Sequence, residues 1–491
     1  WAHPEPLPPV SGLTIAVERW ERMVPSTPVA GRHRHLAVLD LGAHRALAQT
    51  LCAAIDSHPD TELSAARDAE LILVIAPDFE HTQAALAAMH RSIGFEHPEQ
   101  TFSHLDLPSW DLDPVLGVSV ITAVLRGFGE TALRGSVNGY TLFERTLADA
   151  PAVPNWSLDS GVLDDVVVTG GAGAIGMHYA RYLAEHGARR IVLLSRRAAD
   201  QATVAMLRKQ HGTVIVSPPC DITDPTQLSA IAAEYGGVGA SLIVHAAGSV
   251  ISGTAPGVTS AAVVDNFAAK VLGLAQMIEL WPLRPDVRTL LCSSVMGVWG
   301  GHGVVAYSAA NRLLDVMAAQ LRAQGRHCVA VKWGLWQAPK AGEPARGIAD
   351  AVTIARVERS GLRQMAPQQA IEASLHEFTV DPLVFAADAA RLQMLLDSRQ
   401  FERYEGPTDP NLAAVLGIPQ AGEVNLQESL FDLGVDSMLA LDLRNRLKRS
   451  IGATVSLATL MGDITGDGLV AKLEDADERS HTAQKVDISR D

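Results

Sequence analysis

Four side chains in the second half of the chain have the types and spacing of a proton-transfer site. Tyr307 is followed four residues later by Asn311, and Ser294 precedes the tyrosine by 13 residues. If the segment from Tyr307 is helical, Tyr307 and Asn311 share a face, and Ser294 can meet them from the end of an apolar run. Lys270, on a separate helix, could supply a cation. Reduction of a ketone needs such a set, because a proton must reach the carbonyl oxygen while charge builds there.

A glycine-rich turn lies upstream of these residues, between a predicted strand and a predicted helix. Gly171, Gly173 and Gly176 have the G-x-G-x-x-G spacing, which permits a tight turn, close approach of the backbone to a pyrophosphate, and close helix packing. We therefore predict a dinucleotide site here. Its residues are Thr169, Gly170, Gly171, Gly173, Ala174, Ile175 and Gly176.

The ends of the next strands supply the rest of this predicted nucleotide site. The second strand ends in Ser195-Arg196-Arg197, where an NAD site usually carries an acid for the ribose hydroxyls. Arginine instead favours the 2′-phosphate of NADP, although either arginine could be a solvated surface cation. The remaining candidates, beside the adenine and ribose, are Asp221, Ile222, Ala246, Ala247 and Gly248.

Composition bounds the class of protein. A chain of 491 residues, 47% of them hydrophobic, can form two to four domains. The net charge of -15, with no Lys/Arg cluster, argues against a nucleic-acid partner. The four cysteines are widely separated and predict no disulfide framework. No apolar run approaches ~20 residues and no signal peptide is visible, so we expect no membrane span and a cytoplasmic piece of a longer polypeptide.

Strand and helix patterns alternate twice, which predicts an α/β fold of two tandem Rossmann-like, doubly wound subdomains. The first lacks a glycine turn and is expected to be structural; the second is expected to be catalytic. A small all-α four-helix domain follows, and residues 401–480 contain 14 acidic and 7 basic residues. The predicted boundaries are 1–12 linker, 13–160 structural subdomain, 161–395 catalytic subdomain with a lid around 334–360, 396–410 linker, 411–475 helical domain and 476–491 disordered tail.

Several phrases resemble the short-chain dehydrogenase/reductase superfamily and, more closely, the ketoreductase domain of modular type I polyketide synthases. The upstream phrases Phe95-Glu-His-Pro-Glu and Leu105-Asp-Leu-Pro resemble the structural subdomain of that family. The phrases in the catalytic subdomain are Thr-Gly-Gly-Ala-Gly-Ala-Ile-Gly at 169–176, Ser-Arg-Arg at 195–197, His-Ala-Ala-Gly at 245–248, Ala-Lys-Val-Leu-Gly at 269–273, Ser-Ser-Val-Met-Gly-Val-Trp-Gly at 293–300 and Tyr-Ser-Ala-Ala-Asn-Arg-Leu-Leu-Asp at 307–315.

The resemblance implies a role for each member of the proton-transfer set. Tyr307 donates the proton, Ser294 holds the carbonyl oxygen, Lys270 depresses the pKa of the tyrosine, and Asn311 orders the relay. The order Lys, Ser, Tyr, Asn is that of polyketide ketoreductases, whereas most relatives place the lysine four residues after the tyrosine. The implied reaction is NADPH-dependent reduction of a β-ketoacyl thioester.

Residues beside the expected cleft are similar to one stereochemical class of these ketoreductases. Trp299 lies eight residues before Tyr307, and Val250-Ile251-Ser252 stands where the other class carries Leu-Asp-Asp. Val304 replaces the histidine associated with an epimerised 2-methyl substrate. The resemblance therefore implies an A1-type enzyme that gives an L-hydroxyl, with packing as the less favoured alternative for Trp299.

The segment from Phe431 to Leu447 resembles the acyl carrier protein signature, with Met438 where leucine is commoner. This implies attachment of 4′-phosphopantetheine to Ser437 by a phosphopantetheinyl transferase. Neither ketosynthase nor acyltransferase signatures occur in the sequence, so those activities are expected upstream or on a partner chain. The sequence as a whole resembles actinobacterial synthases, with a mycobactin-type siderophore synthase as one candidate.

Other classes of function remain as alternatives. An inert ketoreductase fold could act as a scaffold beside a working carrier domain. An α/β hydrolase is disfavoured because Gly135-Ser136-Val137-Asn138-Gly139 has its serine one place too early for a nucleophile elbow. His33 and His35 have no companion carboxylate at a useful spacing, so no metal is predicted.

Overall fold

The structure is a computed structural model of the chain. It describes residues 12–23, 32–38, 61–62, 70–75, 81–97, 101–109, 111, 113–126, 129–137, 139–248, 257–337, 354, 357–358, 361–388, 392, 440, 443–444, 447, 455–460 and 464–469. The chain divides into two compact units, Trp1–Asp388 and Ala389–Asp491. The predicted subdomain and linker boundaries stay predictions.

The first half of the larger unit contains seven strands and two helices among its described residues. They are β1 (Thr14–Arg22), β2 (Arg32–Val38), β3 (Thr61–Glu62), β4 (Glu70–Ile75), α1 (His81–Gly94), β5 (Thr101–Asp106), α2 (Pro114–Arg126), β6 (Glu130–Ser136) and β7 (Gly139–Asp149). The apolar run Leu36–Leu41 predicted β2, but the strand begins four residues earlier, at Arg32. The helix predicted at 43–56 lies outside the described residues.

The second half begins with the strand that leads into the glycine turn. Its elements are β8 (Asp165–Thr169), α3 (Ala174–Glu185), β9 (Arg190–Leu194), α4 (Gln201–His211), β10 (Val214–Val216), α5 (Pro225–Tyr235), β11 (Ala240–His245), α6 (Ser260–Phe267), a π-helix (Ala268–Leu272), α7 (Gly273–Leu280), β12 (Leu283–Ser294), α8 (Met296–Trp299), α9 (Val305–Ala323), β13 (His327–Trp333), β14 (Leu362–Arg363), α10 (Pro367–Ser374) and β15 (Leu383–Ala387).

All of these strands except β14 lie on one path through a continuous sheet. The order is β10-β9-β8-β11-β12-β13-β15-β1-β7-β6-β5-β4-β2-β3, with β14 paired to β15. The β8-to-β13 part is parallel and has the 3-2-1-4-5-6 order of a doubly wound fold. The predicted Rossmann-like α/β class is thus confirmed. The two predicted sheets are nevertheless one, because β1 pairs antiparallel with both β15 and β7.

Helices cover both faces of the catalytic half. Along β8, Val166 and Val168 are buried with α3 residues such as Leu183. Val167 points to the opposite face, where Ile243 and Met277 are also buried. This alternation is what a strand covered on both sides requires, and it fixes the end of β8 at the carboxyl edge of the sheet, where ligands bind in such folds.

Two predicted segments fall mainly on residues that the structure does not describe. Of the lid predicted around 334–360, residues 334–337, 354 and 357–358 are described. In the second unit, the described residues include one complete short helix, α11 (Leu457–Leu460). The four-helix arrangement, both linkers apart from Gly12, and the tail at 476–491 lie outside the described residues.

The structure joins α6, the π-helix and α7 into one helical stretch, Ser260–Leu280, which contains an 18-residue segment with a mean hydropathy of 1.3. By length and composition it could span a membrane, which the apolar runs of the sequence had not indicated. Within the protein it buries Asn266 and Lys270, and its Leu274 packs against β12 and α9 residues. Of its most apolar 18 residues 28% are buried inside the protein, so the stretch packs on the core with one side.

Candidate active site

The glycine turn after β8 is compact enough to exclude side chains. Gly170 has φ +67°, and a Cβ there would lie 2.6 Å from the Ala246 carbonyl oxygen. At Gly171 a Cβ would lie 2.7 Å from Leu193 Cβ, and at Gly176 it would lie 2.5 Å from the Gly170 oxygen. Each contact is shorter than real Cβ atoms tolerate, so the turn requires glycine at all three positions.

Hydrogen bonds hold this turn at the N-terminus of α3. The Gly173 N–H donates to the Gly170 oxygen at 2.8 Å, and the Ala172 N–H donates to Ser195 Oγ at 2.9 Å. Gly173 is the N-cap, and it provides no side-chain capping bond to the described first turn, which starts with Ala174 and Ile175. The first N–H groups of α3 thus stay available to a phosphate, and the cradle fits a dinucleotide.

The other predicted nucleotide residues are brought to the same sheet edge, but not all of them face a ligand. Arg196 and Arg197 are exposed after β9. Asp221 caps its own turn, because its carboxylate accepts bonds from the Thr223 N–H at 2.9 Å and hydroxyl at 2.7 Å. Ile222 is 5% exposed and packs on Gly273, where a Cβ would lie 2.6 Å from Ile222 Cδ1. Its role in the structure is packing.

Ser294, Tyr307 and Asn311 meet as the spacing predicted. Ser294 is the last residue of β12, and Tyr307 and Asn311 lie one turn apart on α9, where Asn311 Nδ2 donates to the Tyr307 carbonyl at 2.8 Å. Burial raises the pKa of Tyr307, and hydrogen bonding with the Ser294 and Asn311 side chains opposes that rise. The phenol is therefore protonated at neutral pH and can act as a donor.

Lys270 joins this group from the π-helix, a rare geometry that is common at functional sites. Its Nζ donates to the Cys292 carbonyl at 2.9 Å and lies 5.8 Å from the centre of the Tyr307 ring. Burial lowers the pKa of Lys270 to about 8. Gly248 leaves room for this side chain, since a Cβ there would lie 2.9 Å from Lys270 Cε.

His245 supports the site, although in the sequence it stands out only as part of the phrase His-Ala-Ala-Gly. Its Nδ1 lies 2.9 Å from Thr169 Oγ1, and its Nε2 lies 2.9 Å from the Lys270 carbonyl oxygen. Burial lowers the pKa of His245 to about 3, so the ring is neutral. It thereby connects β8, the strand before the glycine turn, to the backbone of Lys270. The feature of the sequence that could have indicated this role is a histidine at the end of a buried apolar strand.

Trp299 lies next to this set but points into the core. The indole is 6% exposed and contacts Phe385 edge to face, with ring centres 5.3 Å apart. This geometry agrees with the packing alternative, while its influence on stereochemistry stays a prediction. Val304 is the N-cap of α9, and Val250-Ile251-Ser252 lies outside the described residues.

The remaining predicted sites are only partly visible. Ser437 lies outside the described residues, and the side chains of His33 and His35 on β2 are likewise not described. Among the described residues no group of three or more His, Cys, Asp or Glu side chains could hold a metal ion. Cys220, Cys292 and Cys328 are buried free thiols.

A Rossmann-like sheet that brings a glycine turn beside a lysine, serine, tyrosine and asparagine set is the arrangement of short-chain dehydrogenase/reductase oxidoreductases. Residues 165–338 match the family described as the KR domain, and residues 411–473 match the phosphopantetheine attachment site. The chain thus contains a KR domain and a phosphopantetheine attachment domain, and it is homologous to modular type I polyketide synthases.

Relatives and solved structures agree with this assignment. Erythronolide synthase EryA3 of Saccharopolyspora erythraea is 33% identical over 421 residues, covering 77% of this chain and 12% of the relative. PikAIII, a pikromycin polyketide synthase component of Streptomyces venezuelae, is 29% identical over 459 residues, covering 80% and 28%. The chain therefore spans a minor part of these proteins.

Solved structures of ketoreductases share the fold. The ketoreductase from the first module of phoslactomycin biosynthesis in Streptomyces sp. HK803 aligns with a TM-score of 0.62 and 23% identity, over 80% of this chain and 97% of that chain. An A1-type ketoreductase aligns with a TM-score of 0.63 and 24% identity, over 78% and 95%. At these identities the likeness concerns the fold.

Proposed function

We propose that the chain reduces a β-ketoacyl thioester, tethered to an acyl carrier domain, to the β-hydroxyacyl thioester with NADPH. The observation that carries the proposal is the meeting of Tyr307, Ser294 and Asn311 beside buried Lys270, next to a glycine turn that fits a dinucleotide. This combination supplies both a proton donor and a nucleotide cradle. The KR-domain match over 165–338 supports the same reaction.

The chain's own residues act on the ketone oxygen. NADPH, when bound, supplies the hydride that reaches the β-carbon. The Tyr307 hydroxyl donates its proton to the oxygen, and the Ser294 hydroxyl donates a hydrogen bond that stabilises the negative charge building there. The tyrosinate that remains is stabilised by the Lys270 charge, and Asn311 orders the route by which a proton returns. Hydride and proton together convert the ketone to the alcohol.

The choice of NADPH over NADH rests on the end of β9. Ser195 is engaged with the glycine turn through the Ala172 N–H, and the next side chain, Arg196, is exposed. An exposed guanidinium at this position suits a 2′-phosphate, whereas an acid would suit free ribose hydroxyls. Asp221 does not compete, because its carboxylate bonds its own turn.

The second unit is proposed to deliver the substrate. The phosphopantetheine attachment family matches residues 411–473, and Ser437 is the serine of the carrier-like phrase within that range. A phosphopantetheinyl transferase would load Ser437. Ketosynthase and acyltransferase domains, upstream or on a partner, would supply the β-ketoacyl chain in the cytoplasm.

The product is proposed to carry an L-hydroxyl, as an A1-type enzyme gives. Trp299 and Val304, which lie before and at the N-terminus of α9, support this assignment. Trp299 packs on Phe385, so its indole is not exposed to a substrate. We propose that Trp299 affects substrate orientation by fixing the position of α8.

The test is to load Ser437 with a β-ketoacyl pantetheine group and to follow NADPH loss, the Ser437 peptide mass and the hand of the product. Tyr307→Phe is expected to reduce kcat by roughly 10²- to 10⁴-fold without weakening NADPH binding. NADH is expected to be the poorer donor. Binding of NADPH without any turnover by the unsubstituted protein would contradict the proposal and favour an inert scaffold.

A further inference from the structure

A cluster of buried charges lies where the two halves of the sheet join. This joint cluster comprises side chains that are all at most 16% exposed. Its members are Glu18, Arg91, Glu130, Arg145, Arg312 and Lys332. Although burial acts against their ionisation, the pKa values of Glu18 and Glu130 are held below the ordinary range, for Glu18 by Lys332, Arg312 and Arg145, and for Glu130 by Arg145 and Arg91. Both carboxylates are therefore charged and fix the cations around them.

Arg145 is the member that bonds both the cluster and the active-site backbone. It lies on β7 in the structural half, 8% exposed. Its Nη1 donates to Glu18 Oε1 at 2.9 Å, and its Nη2 lies 3.4 Å from Glu130 Oε2. The same Nη2 donates to the Val298 carbonyl at 3.0 Å. Val298 belongs to α8, the turn between Ser294 and Tyr307.

The α8 turn is in direct contact with the proton-transfer set. Its Met296 N–H donates to Ser294 Oγ at 3.2 Å. Gly297 packs against α9, where a Cβ on this glycine would lie 3.4 Å from the Asn311 backbone. Trp299 ends the turn. A displacement at the Val298 carbonyl would therefore reach Ser294, Asn311 and Trp299 together.

We propose that Arg145 is a positioning residue, which holds α8 from the structural half so that Ser294, Asn311 and Trp299 keep the geometry for reduction to one product hand. The proposal rests on the proposed ketoreduction. It gives the structural half a role in the reaction as well as in stability. The Arg145 guanidinium is held by the carboxylates of the joint cluster and in turn holds the Val298 carbonyl, which fixes the position of α8. The fork geometry is essential, because one side chain must donate to a carboxylate and to a carbonyl at once.

The test is Arg145→Lys in the full chain, which keeps the charge opposite Glu18 and Glu130 but removes the fork. NADPH affinity is expected to stay within about twofold, because the glycine turn is held by its own hydrogen bonds to Gly170 and Ser195. We expect kcat to fall by roughly tenfold to 10²-fold, the cost of a misplacement of about 1 Å. A larger fraction of the opposite hydroxyl epimer is also expected. Hydrogen exchange at the Trp299 and Gly300 amides, which bond the Val295 and Met296 carbonyls, is expected to be about tenfold faster.

Arg322→Lys is the matched control, because Arg322 also forks between a carboxylate, Asp381, and a backbone carbonyl, that of Cys328, at the far end of α9. It is expected to leave kcat and product hand unchanged. Unchanged epimer ratio and amide exchange in Arg145→Lys, or equal effects of both substitutions, would overturn the proposal. Failure of the unsubstituted chain to reduce any ketone would instead overturn the proposed function, and amide exchange would still report whether Arg145 holds α8.

Discussion

At the residue scale, the position of Lys270, the proposed catalytic lysine, depends on two neighbours that are not proposed to take part in the reaction. Gly248 lies beside the aliphatic part of Lys270, and a Cβ there would be 2.9 Å from Cε and 3.4 Å from Nζ. His245 meanwhile holds the lysine's backbone. The Lys270 atoms that a Cβ at residue 248 would crowd are at the end of a flexible side chain. A larger residue at 248 would therefore displace the Lys270 ammonium and leave the backbone in place.

We therefore expect Gly248→Ala to lower kcat by about tenfold while changing the free energy of unfolding by less than about 1 kcal/mol. Steady-state kinetics and urea denaturation measure the two effects. Gly257→Ala is the matched control, since a Cβ there has open space around it. A kcat for Gly248→Ala equal to that of Gly257→Ala would show that the reaction does not depend on the position of the Lys270 ammonium.

At the element scale, α1 from the structural half packs against the catalytic helix α9. Ser92 Oγ donates to Ser308 Oγ at 2.8 Å, next to Tyr307. Gly300, which follows α8, has φ +75°, and a Cβ there would lie 2.8 Å from both the Arg91 carbonyl carbon and the Ser92 nitrogen. Backbone approaches backbone here, so neither side can yield without moving the whole of α1.

Gly300→Ala is therefore expected to lower the free energy of unfolding by more than about 2 kcal/mol, from backbone strain and from the displaced helix together. Gly303→Ala separates the two causes, because Gly303 has nearly the same φ, +69°, but nothing within 4 Å of a Cβ. We expect Gly303→Ala to show the strain alone, about 1 kcal/mol. Equal losses in urea denaturation would mean that α1 does not constrain Gly300.

At the scale of the whole larger unit, β1 closes the sheet. It lies between β15 and β7 and pairs with both, for example Thr14 with Phe385 and Arg22 with Phe143. It also carries Glu18 into the joint cluster. Removal of β1 would leave two unpaired strand edges in the middle of the sheet, would take Glu18 away from Lys332, and would leave Arg145 with Glu130 alone.

A chain that begins at residue 24 is thus expected to lose cooperative unfolding and to aggregate, since exposed edges and unpaired buried charges are both costly. A chain that begins at residue 12 keeps β1 and is expected to behave as the full chain. Soluble yield and urea denaturation compare them. A shortened chain from residue 24 with an unchanged unfolding midpoint would contradict the central role of β1.

Local patterns in the sequence predicted much of this unit. The apolar residues Ile191–Leu194 predict a strand, and they form β9 with Arg190. The glycine turn and the proposed catalytic set follow from residue spacing. The β6–β7 hairpin was missed, although its turn contains Val137-Asn138-Gly139, because every residue of β7 up to Ala148 is half-buried and gives no clear alternation. The pairing of β1 with β15 has no local signal at all, since its partners are separated by most of the chain.

In the candidate site, too, some residues could be predicted from local sequence and others could not. The residues proposed to bind the nucleotide and the ketone oxygen stand in short sequence phrases, so their roles could be proposed from the sequence. Arg145 and Glu18 lie in strands with several charged residues, as solvent-exposed strands have. Their role in the joint cluster depends on burial that only the tertiary fold creates. Ile222 is the reverse case, because it was predicted as part of the nucleotide site and the structure buries it in the core.

The position of β1 also has a consequence for the order of folding. Residue 14 emerges during synthesis long before residue 385, its partner on β15. The parallel strands β8 to β13 can pair with one another as they appear, but β1 has only β7 until synthesis reaches β15. Contacts between distant residues form late because loop closure costs entropy. We expect the nascent chain to hold two half-sheets, with an open edge on β1, until the last strand of the unit has been made.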